Sequence, residues 1–190
     1  MAAITCSLLA DDRKEGPRAG AGHHRRQQLI FASAALGPTG QNAGGLIINA
    51  AQYIGVRFQV DRETQITGVG GHIGAENDLS ANIFYATIVR LPDAAALPAG
   101  APFDDDEIVA SVLCAPTSNF SLDYVFPLKA KLSPGSYTLV FGGGGTNAYM
   151  VENNPASPDA SFIGWDLNTG WRNEPTLTNI RFTLYGTIKP

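Results

Sequence analysis

The closing stretch of the chain constrains the fold most. Asn179–Gly186 places Ile180, Phe182 and Leu184 on one side of an extended segment and Arg181, Thr183 and Tyr185 on the other. Period-two alternation of this kind reads as a β-strand with one face in a core. Upstream, Leu132-Ser133-Pro134-Gly135-Ser136-Tyr137-Thr138-Leu139-Val140-Phe141 and Ser161-Phe162-Ile163-Gly164-Trp165-Asp166 read the same way, the second followed at once by Gly170-Trp171. Together they describe the end of an antiparallel sandwich, with both tryptophans of the chain within one short turn of each other.

The same texture runs back through the chain. Tyr53–Val60 alternates Ile54, Val56, Phe58 and Val60 against Tyr53, Gly55, Arg57 and Gln59, which predicts one buried and one wet face. Asp61-Arg62-Glu63 makes a charged turn into Gln65–Ile73, whose glycines point to a bulged or closely packed strand. Asn82–Leu91 is apolar on both sides and reads as a central strand; Glu107–Cys114 and Leu122–Lys129 are the next two. Pro92–Pro102 reads as a long loop with at most one helical turn, and Asn153–Asp159 as a Pro/Asn loop. In Ser133-Pro134-Gly135-Ser136, proline followed by glycine is type II turn chemistry, with positive φ expected at Gly135. The expected fold is therefore all-β: a single antiparallel β-sandwich of jelly-roll-like or Greek-key order over residues 29–190, with Leu29–Leu36 as its first strand.

Residues 1–28 read as a separate, disordered leader. They carry five Lys/Arg against three acids, while the remainder carries eight against fourteen, so the net charge of −4 hides a basic head on an acidic body. An acidic body excludes wrapping nucleic acid, which needs clustered cations. Gly, Ala and Pro dilute the head, and no aromatic residue interleaves it. No apolar run is long enough to span a bilayer. With Cys6 in the leader and Cys114 at the end of a strand, two free thiols, one buried, is a better reading than a disulfide. Arg25-Arg26-Gln27-Gln28 before Leu29–Leu36 has some features of a secretory signal, but the apolar stretch is short and starts far from Met1.

The ordered set Tyr53-Ile54-Gly55-Val56-Arg57-Phe58, Leu132-Ser133-Pro134-Gly135-Ser136-Tyr137, Ser161-Phe162-x-x-Trp165, Gly170-Trp171 and Asn179-Ile180-Arg181-Phe182 resembles bacterial exported β-sandwich domains of the PEP-CTERM or choice-of-anchor type. The likeness covers roughly Leu29 to Ile188 and implies an extracellular or cell-surface location. It brings no catalytic residues with it. The chain departs from the family pattern at both ends, since neither a clear signal peptide nor an anchor before Pro190 is legible.

Candidate sites are few. Trp165 and Trp171, with Tyr149, Asn147, Asp166 and Asn168 nearby in sequence, could stack on a sugar ring and bond its hydroxyls; against this, one or both indoles could plug the open end of the sandwich. Asp104-Asp105-Asp106, followed by Glu107, can supply oxygens to Ca²⁺, the one cofactor the sequence raises. The run lacks the glycine and distal Glu of an EF-hand loop, so a charged strand entry is the plainer reading. His72 lies within a strand and reads as structural, and His23-His24 fall in the leader. No Gly-x-Ser-x-Gly elbow accompanies His72, and no zinc spacing is present. Gly142-Gly143-Gly144-Gly145 lacks the Lys-Ser/Thr of a phosphate loop and reads as a strand-end turn. The expectation is a non-enzymatic extracellular or surface module with a structural, adhesion or matrix role. The alternatives are a lectin-like carbohydrate binder and a virion or filament subunit, with a glycan or a self-assembly or protein partner accordingly.

Overall fold

The computed structural model describes residues 28–41, 44–75, 82–145 and 148–189. The leader through residue 27, with Cys6, His23 and His24, and the candidate Asn147 lie outside the described residues. The described residues form twelve strands: β1 (Gln28–Ala32), β2 (Gly45–Ile48), β3 (Gln52–Val60), β4 (Thr64–Ala75), β5 (Phe84–Leu91), β6 (Ile108–Cys114), β7 (Leu122–Leu132), β8 (Gly135–Gly142), β9 (Ala148–Val151), β10 (Ser161–Asp166), β11 (Gly170–Asn173) and β12 (Phe182–Ile188). All pairings are antiparallel.

Two six-stranded sheets pack face to face. One runs β11-β10-β3-β8-β5-β6. The other is centred on β4, which pairs with β7 along one edge over Thr64–Ile73. Its other edge is shared by β12, over Thr64–Gly71, and by β9 from Ile73 onward; β1 extends beyond β12, and β2 beyond β9. Setting aside β2 and β9–β11, the remaining eight strands stand as β1-β12-β4-β7 against β3-β8-β5-β6, and the chain visits the sheets in jelly-roll order. A paired ribbon wraps the corner between the sheets. Val60 faces Gly135 in one sheet, and Thr64 faces Leu132 in the other, so the 61–63 and 133–134 connections turn side by side. Glu63 bridges this corner to Lys131 (2.7 Å) and to Lys189, and the two ammonium partners hold its carboxyl below the usual range.

The bend expected at Ser133–Ser136 forms, with the expected positive φ at Gly135 (+154°); the segment joins strands of different sheets, and Gly135 already begins β8. The Tyr137 hydroxyl donates back to Ser133 O at 2.8 Å and fixes the bend. The first strand ends sooner than expected, at Ala32, and Pro92–Pro102 contains no helical turn.

Between the sheets the phenylalanines interlock. Phe126 on β7 meets Phe84 on β5 edge to face at 5.9 Å; Phe84 meets Phe141 on β8 at 5.3 Å; Phe141 crosses to Phe182 on β12 at 4.8 Å; and Phe182 returns to Phe162 on β10 at 6.4 Å. Ile54, Val56, Ile66, Val69, Ile73, Leu139 and Met150 fill the space around them. Cys114 is a free, buried thiol in this core, and burial pushes its pKa up to about 12. Phe182 is the ring that touches the opposite sheet in two places, so Phe182→Ala should cost about 3–5 kcal/mol, the range for truncating a buried aromatic. Chemical denaturation would read this as a lower midpoint at unchanged slope.

Candidate functional site

The candidate aromatics sit in one row. Trp165 lies opposite Trp171 across the β10–β11 pair and opposite Tyr53 across the β10–β3 pair. Their neighbours Ile54 and Phe162 have the other parity and point into the core, so the row lies on the outer face of its sheet. Tyr53 meets Trp165 edge to face at 5.2 Å. Phe103, from the loop between β5 and β6, closes over both ends of the row, at 5.8 Å from Tyr53 and 5.6 Å from Trp171. The Trp171 Nε1–H donates to Pro102 O in the same loop. Trp165 is left 6 % exposed, Trp171 is half-buried, and burial raises the Tyr53 hydroxyl above its ordinary pKa. The indoles are neighbours, as the short turn between them requires. They seal an outer face beneath the chain's own loop rather than the open end of the sandwich.

Arg57 holds that loop down. Its strand alternation assigns it to a wet face, yet it is only 9 % exposed. Nε donates to Ala96 O (2.8 Å), Nη1 to Ser161 Oγ (2.9 Å), and Nη2 to Ala95 O (2.9 Å) and Asn173 Oδ1 (2.7 Å). Four of the five guanidinium donors are thus met. Burial lowers the Arg57 pKa and the Asp93 charge opposes that shift. Asp93 shapes the same loop by accepting from Ala95 N and Ala96 N. Glu107 closes its far end, accepting from Ala99 N and Asp104 N. Asp104, Asp105 and Asp106 themselves are exposed at this turn. Among the described residues no group of three or more His, Cys, Asp or Glu side chains is placed to hold a metal ion.

Asp166 builds the β10–β11 turn. Oδ1 accepts from Asn168 N (2.9 Å) and Thr169 N (3.0 Å), and Oδ2 from the Thr169 hydroxyl and from Arg172. Gly170 completes the reversal at φ +68°, a conformation that favours glycine. The Thr169 hydroxyl first, then the turn amides and Arg172, pull the Asp166 pKa down to about 2. Asn168 is exposed at the tip and contributes its backbone amide. Tyr149 lies elsewhere, on β9 in the other sheet, and is 7 % exposed. Its ring crosses Gly74, where a Cβ would come within 2.3 Å of it. The five described residues among those proposed for sugar binding therefore do not converge: Trp165, Trp171, Asp166 and Asn168 share one hairpin, while Tyr149 belongs to the opposite sheet.

A second covered face escaped the sequence reading. On the outer side of the β4-centred sheet, residues 33–41 overlie a polar cluster. Arg181, expected to face solvent, is buried; Nε and Nη2 form a two-pronged pair with Asp123 (3.0 and 3.1 Å), and Nη1 donates to Ala34 O (2.6 Å). Ser33 accepts from Phe182 N and donates to Ile180 O. His72 is wholly buried with Nδ1 2.7 Å from Asn154 Oδ1, which also accepts from Gly37 N, while Asn154 Nδ2 donates to Val151 O and Asn179 O. Thr183, also expected outward, is wholly buried. The signal in the sequence was slight: arginines at outward positions of otherwise apolar strands, read as solvated.

Compared with known protein families, with curated proteins and with solved structures, the chain matches none.

Two outcomes follow from these contacts. Arg57→Ala leaves the Ala95 and Ala96 carbonyls without their donor, which should cost about 3 kcal/mol. Hydrogen exchange should then quicken along the 93–104 loop, and the tryptophan emission should shift to the red as Phe103 lifts from Trp171. Asp166, with its folded pKa below the unfolded value, contributes stability that is fully present above the ordinary 3.8 and lost as pH falls through about 2. Carboxyl carbon shifts followed by NMR should show a midpoint near that lower value; one near the ordinary value would mean the turn does not hold the carboxylate.

Proposed function

We propose that the chain is a non-enzymatic structural module of the extracellular space or cell surface, with a role in adhesion, matrix or assembly. One observation carries this reading: the side chains best suited to gripping a ligand are spent on holding the protein's own loops. Trp165 offers no open ring face, Asp166 has its carboxylate filled by turn amides, and Arg57 and Arg181 hold backbone carbonyls. The buried His72 faces Asn154, so among the described residues it is not paired with an exposed nucleophile as a serine- or cysteine-type site would need. Low charge, many turns and the resemblance to exported sandwich domains read from the sequence motifs alone support the extracellular placement. Among the described residues no helix is long and apolar enough to cross a membrane.

The test pairs two measurements on the full chain. Intrinsic tryptophan fluorescence should stay flat across a panel of glycans, and a panel of glycoside, ester and peptide substrates should show no turnover. A saturable fluorescence change with one sugar would favour the lectin-like reading instead, and sustained hydrolysis would overturn the non-enzymatic one.

A further inference from the structure

Three register slips cross the β4-centred sheet along one line. Strand β1 gains a residue on β12 between Leu29 and Phe31, β4 gains one on β12 between Ile66 and Gly68, and β7 gains one on β4 between Pro127 and Ala130. All three meet at the cross-strand row Leu29–Tyr185–Gly68–Pro127. An extra residue bends its strand, so aligned slips crease the sheet. At the crease a cavity of about 290 Å³ opens between this sheet and β3 of the other. Its apolar walls are Ile30, Phe31, Phe58, Val60, Leu184 and Ile188. The Phe31 ring lies 5.6 Å from Phe58, which stacks on Tyr137 at 5.7 Å, so one wall is a braced aromatic surface. Phe58 and Leu184 are buried while Ile188 is 55 % exposed, so the cavity runs from the core to the surface. Asp61 and Arg62, both exposed, stand at its mouth. Past Phe31 the lining turns polar, with Arg57, Asp159 and Ser161, and an apolar molecule that enters at the mouth stops there.

We infer that this cavity binds a free medium-chain aliphatic carboxylate, its chain lying between the two sheets and its carboxylate at Arg62. An apolar interior with a few polar groups at the rim is the usual form of a small-molecule site. The remaining polar side chains of the lining are engaged: the Thr64 hydroxyl donates to Arg62 O (2.9 Å), and the Gln59 amide to Ser136 Oγ (3.4 Å). The interior therefore offers apolar contact and little else, which selects an alkyl chain over a sugar or a nucleotide. The mouth carries the complementary charge. Arg62, Lys131 and Lys189 gather there against Asp61 and Glu63, a local positive excess on an otherwise acidic body. Glu63 takes up the two lysines, so Arg62 is the cation that meets the carboxylate. A methylene fills about the space of a liquid water molecule, roughly 30 Å³, so the cavity holds a chain of about ten carbons. The inference goes beyond the structural-module reading and does not rest on it, since it requires neither turnover nor a tryptophan.

The experiment is isothermal titration calorimetry of the full chain with unbranched carboxylates from hexanoate to tetradecanoate, each below its micelle concentration. Affinity should rise about three- to fourfold per added methylene, the effect of burying it, and level off at about ten carbons. Arg62→Gln should weaken decanoate about three- to fivefold, as one solvent-facing ion pair is lost, and leave decanol unchanged. Ile30→Trp, which fills the cavity, should abolish binding, and Lys129→Gln, exposed on β7, should leave it as it is. If the tryptophan variant does not fold, the break in the chain-length series and the Arg62→Gln contrast still decide. Absence of decanoate binding, affinity that climbs unbroken to tetradecanoate, an Arg62→Gln chain that loses decanol as much as decanoate, or a folded Ile30→Trp chain that still binds would each overturn the inference. So would association with anionic phospholipid vesicles in the absence of binding to monomeric decanoate, which would make this corner a membrane contact instead. None of these results would touch the glycan and turnover tests, so the two readings fail separately.

Discussion

The structure depends on a guanidinium buried on a face where its strand's alternation predicts solvent. Arg57 stands on the outer face of a sheet, and a charge there is tolerable only if its donors are met. The chain meets them with two loop carbonyls, a serine hydroxyl and an asparagine oxygen. The requirement runs in both directions: the loop satisfies the arginine, and the arginine fixes the loop. Once Ala95 and Ala96 are fixed, Pro102 and Phe103 can close over Trp171 and Tyr53, and the tryptophan row is removed from water. Arg181 repeats the device on the other sheet, with Asp123 and the Ala34 carbonyl as its partners. A two-layer sandwich thereby acquires a partial third and fourth layer made of irregular chain.

This arrangement changes what the core has to do. The interlocked phenylalanines between the sheets supply the non-directional apolar term, and that term alone would tolerate some sliding of one sheet over the other. The buried arginines supply directional contacts that are satisfied in one geometry only. Ser33 shows the coupling at closest range: its hydroxyl bridges Ile180 O and Phe182 N, so the exit of β1 is locked to the residues that lead into β12. Phe182 itself then faces inward to Phe141 and Phe162. Core packing and outer-face hydrogen bonding meet in the same three residues.

The fold class was legible because it is written in parity. The alternation of Ile54, Val56 and Phe58, and of Phe182 and Leu184, assigned each inward residue to the face it occupies, and these local patterns agree with the jelly roll they build. What alternation cannot convey is what lies over the other face. Arg57, Arg181 and Thr183 carry the signature of solvated positions, and their burial is set by loops that are distant in sequence, from 33–41 and 92–103. The same limit governs the sites. That Trp165 and Trp171 are neighbours follows from the Asn168-Thr169-Gly170 turn, whereas Phe103 above them comes from some sixty residues earlier. Tyr149 is separated from the hairpin because β9 pairs with β4 in the opposite sheet, a pairing that no local pattern encodes. Ser133–Ser136 shows the same limit: proline and glycine mark the bend and the positive φ at Gly135, but not whether it joins strands of one sheet or of two.

A chain that spends its aromatics and arginines on its own loops has few side chains left with which to recognise anything. Recognition can still pass through the backbone, since every residue carries a donor and an acceptor, and an edge strand displays both without a distinctive side chain. Such a surface leaves no motif. Its trace in the sequence is negative: a run such as Ile108 to Cys114, with no charge, proline or glycine. A function exercised through main-chain hydrogen bonds is therefore one that residue patterns are poorly suited to announce. It becomes visible when the strand order establishes which largely apolar run lies at a margin and which lies inside. For β5, apolar on both sides and flanked by β8 and β6, the same kind of run means burial; one position further out, on β6, it means an open edge.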